Sequence, residues 1–154
     1  MRVLAIDPGY DRLGIAVIEG TATKPVLVWS DCILPPKGRP EDRLAFVRLA
    51  VVSAIETYSP ALFALESLFF GVNKKTALKV AEARGAVLSA ASAASLTVKE
   101  IPPVTIKLAV TGNGRADKKA VAHMIPLLIS LPQKKRLDDE FDAIAIGITA
   151  LALS

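Results

Sequence analysis

Four carboxylates in this sequence fall where chemistry could use them. An apolar run over residues 3–6 ends abruptly in Asp7, with Pro8 and Gly9 directly behind it. A second apolar run, residues 62–65, ends in Glu66. Far along the chain, Asp139 and Asp142 open a strongly apolar stretch, and a spacing of three puts them on one face of a helix. If the two runs are neighbouring strands, Asp7 and Glu66 meet at the C-terminal edge of one sheet, where open α/β sheets hold their ligands. Carboxylates crowded into a half-buried place repel one another, and without a counter-charge some take up protons. A hard divalent cation removes that conflict. Oxygen donors, in a chain with one cysteine (Cys32) and one histidine (His123), select Mg²⁺ or Mn²⁺ over zinc. Two such ions about 4 Å apart would clamp a phosphodiester, one activating water and the other stabilising the leaving 3′-oxygen. Each acid alone has a plainer reading, as a turn residue after a strand or as a helix cap. The four together favour metal-dependent phosphodiester chemistry.

Holding such a set in place calls for a sheet with helices against it. Residues 3–6, 14–18 and 26–34 read as three strands in a meander, and the proline-rich residues 35–40 as a loop. Leu44, Val47, Val51, Ile55 and Tyr58 recur at helical spacing over residues 41–58, and Pro60 stops that helix. Then come the strand 62–65, an alanine-rich helix 74–95 and a strand 96–101 broken by Pro102 and Pro103. Helices are expected at 104–110, 117–130 and 139–153, the second kinked by Pro126. This order predicts an α/β fold: a five-stranded mixed sheet flanked by helices, with the helix-connected strands parallel. Neither an internal repeat nor a linker interrupts it, so one domain over residues 1–154 is expected.

Composition narrows the partners. With 52% hydrophobic residues the chain is expected to fold, yet its longest apolar run, 143–153, is short of the about 20 residues that cross a bilayer. A single cysteine excludes an internal disulfide framework, and no signal peptide opens the sequence; a cytoplasmic location is expected. The net charge of +4 permits nucleic-acid binding without demanding it. Its distribution is more telling: Asn73, Lys74 and Lys75 with Lys79 and Arg84 behind them, a looser group of Lys107, Arg115, Lys118 and Lys119, and a run at 133–136. Phe69 and Phe70 follow Glu66 closely and precede the first basic cluster, so both are candidate DNA contacts, with plain packing the simpler role for Phe70. His123 and Trp29 fit ordinary helix and core positions.

Six pieces, in order, resemble the RuvC-type Holliday junction resolvases of the ribonuclease H-like superfamily. They are Ala5-Ile6-Asp7-Pro8-Gly9, Ala64-Leu65-Glu66 with Phe69, Ala83-Arg84-Gly85, Ile106-Lys107, residues 112–118, and Asp142-Ala143-Ile144-Ala145-Ile146. The resemblance spans nearly the whole chain and implies a ribonuclease H-like fold. It places the family's metal-binding acids on Asp7, Glu66, Asp139 and Asp142, and its lysines near the scissile phosphate on Lys107 and Lys118. It gives Phe69 the task of probing the junction. It implies a homodimer acting on four-way junction DNA, with the branch-migration proteins RuvA and RuvB as partners. Two identical sites related by a two-fold axis would suit two opposed strands, and the small-residue helix 81–95 is a candidate interface. The chain departs from the pattern at Leu13, at Ala150 and at Ile101-Pro102-Pro103, none of which touches the four acids. Two rival readings are a YqgF-like RNA-processing nuclease, whose Asp-Glu-Arg context for the second acid is lacking here, and a catalytically silent junction binder.

Overall fold

Alternation along the first strand decides which face each acid occupies. In the computed structural model, which describes residues 1–68 and 74–154, β1 (Arg2–Pro8) is wholly buried from Val3 to Ile6. Successive side chains of a strand point to opposite faces. Val3 and Ala5 accordingly join one core cluster, and Leu4 and Ile6 join a second on the other side of the sheet. Asp7 is in phase with Val3 and Ala5.

β1 pairs antiparallel with β2 (Leu13–Thr21), which pairs antiparallel with β3 (Lys24–Ile33), completing the expected meander. On its other side β1 pairs in parallel with β4 (Leu62–Glu66), and β4 in parallel with β5 (Thr97–Ile101). The order is β3-β2-β1-β4-β5, a five-stranded mixed sheet. Leu62 and Ala64 belong to the same core cluster as Val3 and Ala5, so Glu66 is in phase with Asp7 on a neighbouring strand. Both acids therefore end up at one edge and on one face.

The opposite face is covered by α1 (Pro40–Tyr58) and α2 (Lys74–Ala93). Val47, Val51 and Ala54 of α1 meet Val87, Ala90 and Ala91 of α2 over Phe63 and Leu65. Trp29 stacks on Tyr58 at 5.4 Å between ring centroids and packs against this cluster. The α1 chain ends where Ser59 turns into the left-handed region, φ 46°, one residue before Pro60.

The face shared by the acids carries α3 (Pro103–Thr111), α4 (Lys118–Leu128) and α5 (Asp138–Ala152). Asp117 caps α4, its Oδ1 accepting from the Ala120 N–H at 2.7 Å. Pro126 lies inside α4, which ends after Leu128, two residues later. α5 is buried from Ala143 to Leu151 and lies directly on the sheet. Two glycines permit that approach: a Cβ on Gly147 would overlap Ile18, and one on Gly14 would overlap the Asp139 carbonyl. Among the described residues, no helix is long and apolar enough to cross a membrane.

Candidate active site

Three separate elements deliver the four acids to one place. Asp7 comes from the end of β1, Glu66 from the end of β4, and Asp139 and Asp142 from the first turns of α5. Acids at the start of a helix are favoured by its positive end, which offsets part of the cost of collecting them. Neither caps the helix: α5 is entered from Leu137 with no side-chain cap. Asp7, Glu66 and Asp142 line an open cleft of about 400 Å³ together with Lys107 and Lys118.

The charges respond to this crowding. Asp7 is pushed up to about 7, first by burial and then by the charges of Asp142, Asp139 and Glu66, with Lys118 opposing. Glu66 is also raised, by burial and then Asp142, against Lys118 and Lys107. Lys118 is raised in turn, chiefly by the hydrogen bond its Nζ donates to Asp142 Oδ2 at 2.7 Å. Asp139 is met by Arg12, whose Nε stands 3.1 Å from its Oδ2, yet that buried oxygen accepts no hydrogen bond.

An all-carboxylate donor set, an acid raised to about 7 by burial and by its neighbours, and a buried carboxylate oxygen without a donor among the described residues suit a hard divalent cation. Among the described residues, no three of the acids are already gathered as a closed ligand cage. Two basic side chains, Lys118 and Arg12, stand against Asp142 and Asp139.

The basic residues expected on DNA divide. Arg115 and Lys119 are exposed beside the cleft's α3–α4 rim. Arg84 is a correction. Its side chain is only 7% exposed, with Nη1 donating to the Glu66 carbonyl at 2.6 Å and Nη2 against Glu100 at 2.6 Å. A guanidinium satisfied inside the protein in this way is no DNA contact; it ties the end of β4 to β5 from α2. Lys79 is exposed but sits 4.8 Å over the ring of Tyr10. In the basic run at 133–136, Lys134 and Arg136 turn onto Glu140, 2.8 Å and 3.2 Å away, which also accepts from Ser30 Oγ at 2.5 Å. That network fastens the start of α5 to β3. Phe69, Phe70, Asn73 and the side chains of Lys74 and Lys75 lie outside the described residues. His123 is exposed on α4, and burial pushes the Cys32 thiol up to about 11, so it is no ready nucleophile.

Arg12 was not singled out from the sequence. Its partner is 127 positions away, and an arginine in a polar turn gives no local sign of it. Arg84 and Glu140 escaped notice as positioning groups for the same reason, since charged side chains are exposed by default.

The model of the family described as crossover junction endodeoxyribonuclease RuvC matches residues 3–150. The chain belongs to the RuvC family. It is 41% identical over 149 residues to the crossover junction endodeoxyribonuclease RuvC of Moorella thermoacetica, covering 96% of this chain and 89% of that one. The structure of Thermus thermophilus RuvC in complex with its Holliday junction substrate superposes with a TM-score of 0.89 at 32% identity, covering 97% of this chain and 92% of that one. The yeast mitochondrial Holliday junction resolvase Ydc2 matches with a TM-score of 0.71 at 13% identity, covering 97% and 77%, and shares the fold. The ribonuclease H-like architecture expected from the sequence is thus the one the RuvC family uses.

Proposed function

We propose that this chain is a crossover junction endodeoxyribonuclease that nicks four-way (Holliday) DNA junctions by metal-dependent hydrolysis in two opposed strands, serving recombination and repair. Membership of the RuvC family supports the substrate. The observation that carries the chemistry is the meeting of Asp7, Glu66, Asp139 and Asp142 at one sheet edge, with Asp7 raised to about 7 by its burial there and then by the other acids. Asp7, Glu66, Asp139 and Asp142 would hold Mg²⁺ or Mn²⁺, two ions per site. When bound, these ions activate water and stabilise the leaving 3′-oxygen.

The chain's own groups do the rest. The sheet fixes Asp7 and Glu66 at the ends of two adjacent inner strands, Asp7 paired with Gly14 and Glu66 with Ile101, which holds ligands more tightly than a loop can. Lys107 and Lys118 bring ammonium groups to the cleft, where they offset the charge that grows on the phosphate in the transition state. Lys118 Nζ gives one of its three N–H donors to Asp142 and has others to offer a phosphate. The products are a 5′-phosphate and a 3′-hydroxyl, ready for ligation.

Arg115 and Lys119 are proposed to track the DNA backbone, together with Asn73, Lys74, Lys75 and Lys79, while Phe69 and Phe70 meet the bases at the crossover. Two copies related by a two-fold axis would place two sites on opposed strands. In α2, Leu78 is 70% exposed while Val87, Ala90 and Ala91 pack into the core against the sheet, so one side of that helix stays open to a second copy. Delivery of junctions by RuvA and RuvB, a cytoplasmic location and a single nuclease domain complete the proposal.

The test is nicking of a labelled synthetic four-way junction against a linear duplex and a structured RNA, in Mg²⁺ and in EDTA, with Asp7→Asn alongside. Paired nicks in the junction alone, absent in EDTA and in the variant, are expected. Binding without cleavage in either Mg²⁺ or Mn²⁺ would make the chain a silent junction binder, and RNA cleavage would make it a relative of the YqgF-like enzymes in activity.

A further inference from the structure

The turn between β1 and β2 is fastened from several sides. Arg43, buried on α1, donates through Nη2 to the Tyr10 carbonyl at 2.9 Å and to Asp11 Oδ1 at 2.7 Å, and its guanidinium lies 4.5 Å from the centre of the Tyr10 ring. At the far end of the turn, Gly14 lies directly against the Asp139 backbone carbonyl. Between these anchors Arg12 reaches across to Asp139. Its Nε is 3.1 Å from Oδ2, its side chain is 47% exposed, and the contact lacks hydrogen-bond alignment. This is a charge held in place against a carboxylate by a fixed turn, and held loosely enough to leave.

We infer that Arg12 is a positioning residue that holds the Asp139 carboxylate until a divalent cation takes it, and so sets how much metal the site requires. The inference rests on the metal-dependent reading above. Asp139 Oδ2 is the atom at issue: buried, without a hydrogen-bond donor and facing a guanidinium that cannot lose its charge. An incoming cation must displace Arg12 from that oxygen, and the solvent beside the half-exposed side chain receives it. Metal affinity is then lower than the four acids alone would give, by the strength of a half-exposed ion pair. Lys118 stands in the same relation to Asp142, but through an aligned hydrogen bond.

The experiment is Mn²⁺ binding to DNA-free protein, followed by the electron paramagnetic resonance of free Mn²⁺, for the wild type, Arg12→Gln, Asp139→Asn and the double variant. Thermal unfolding of each confirms that it is folded; Arg12→Met, which keeps the apolar stem and removes the charge, replaces Arg12→Gln if the latter is not. Arg12→Gln should tighten Mn²⁺ binding by roughly two- to five-fold. In the Asp139→Asn background the same change should have no effect. Unchanged or weaker binding in Arg12→Gln would overturn the inference. Equal tightening in both backgrounds would also overturn it, since Arg12 would then act as a mere nearby charge. Folded wild type and Arg12→Gln that both fail to bind Mn²⁺ would remove the metal-dependent reading itself, and the inference with it.

Discussion

Asp7→Asn is expected to make the metal-free protein more stable while abolishing its activity, and the gain should depend on pH. Asp7 titrates at about 7 in the folded chain against 3.8 ordinarily, because it is covered and faces three other acids. Between those values the folded state binds a proton that the unfolded state has released. Stability therefore falls as pH rises through that window and levels off above about 7. At about 1.4 kcal/mol per unit over roughly three units, ionising Asp7 costs about 4 kcal/mol at pH 8. Asparagine has nearly the same shape and carries no charge, so it escapes most of this. In a chain of this size 1 kcal/mol moves Tm by about 2–4 °C, so the variant should melt on the order of 10 °C higher at pH 8. At pH 5 the difference should shrink to under half, since there the wild-type side chain is protonated when folded. Adding Mg²⁺ at pH 8 should raise the wild-type Tm and leave the variant nearly unmoved. The assay is thermal or urea unfolding in EDTA at constant ionic strength from pH 5 to 8. Equal Tm values for the two proteins at pH 8 would refute the reasoning, as would a gap that does not change with pH.

Two further outcomes test the supports of the site. Glu140→Ala leaves Arg136, whose side chain is 5% exposed, without its carboxylate, so a loss of about 3–5 kcal/mol in urea unfolding is expected, while Glu140→Gln should lose less by keeping its bond to Ser30. Arg84→Met keeps the volume but strips a donor from the Glu66 carbonyl; it should cost about 1–3 kcal/mol and weaken Mn²⁺ binding, whereas Glu100→Gln, at a partner 51% exposed, should do little to either.

The convergence of the acids was legible because it follows from strand phase. Period-two alternation places Asp7 with Val3 and Ala5, and Glu66 with Leu62 and Ala64, and the parallel crossover makes β1 and β4 neighbours. The apolar length of α5 then required Asp139 and Asp142 to approach the sheet. What no local pattern announced was the set of ion pairs and hydrogen bonds around them. Arg12 to Asp139 and Ser30 to Glu140 join residues more than a hundred positions apart. Arg84 looked like one more cation of a basic helix until its neighbours in space, Glu66 and Glu100, were known. Charge composition counts cations; only tertiary structure says which are free to meet DNA.

The place of α5 in the chain has a consequence in time. It follows every strand, yet it fills the middle of one sheet face and brings half of the acidic set. During synthesis at about 5–20 residues per second, the strands are made seconds before the helix that completes them. A nascent chain thus has a bare apolar face over Val3, Ala5, Ala16 and Ile18, and only two of the four acids. The acidic cluster is therefore complete only once α5, the last element made, has closed on the sheet.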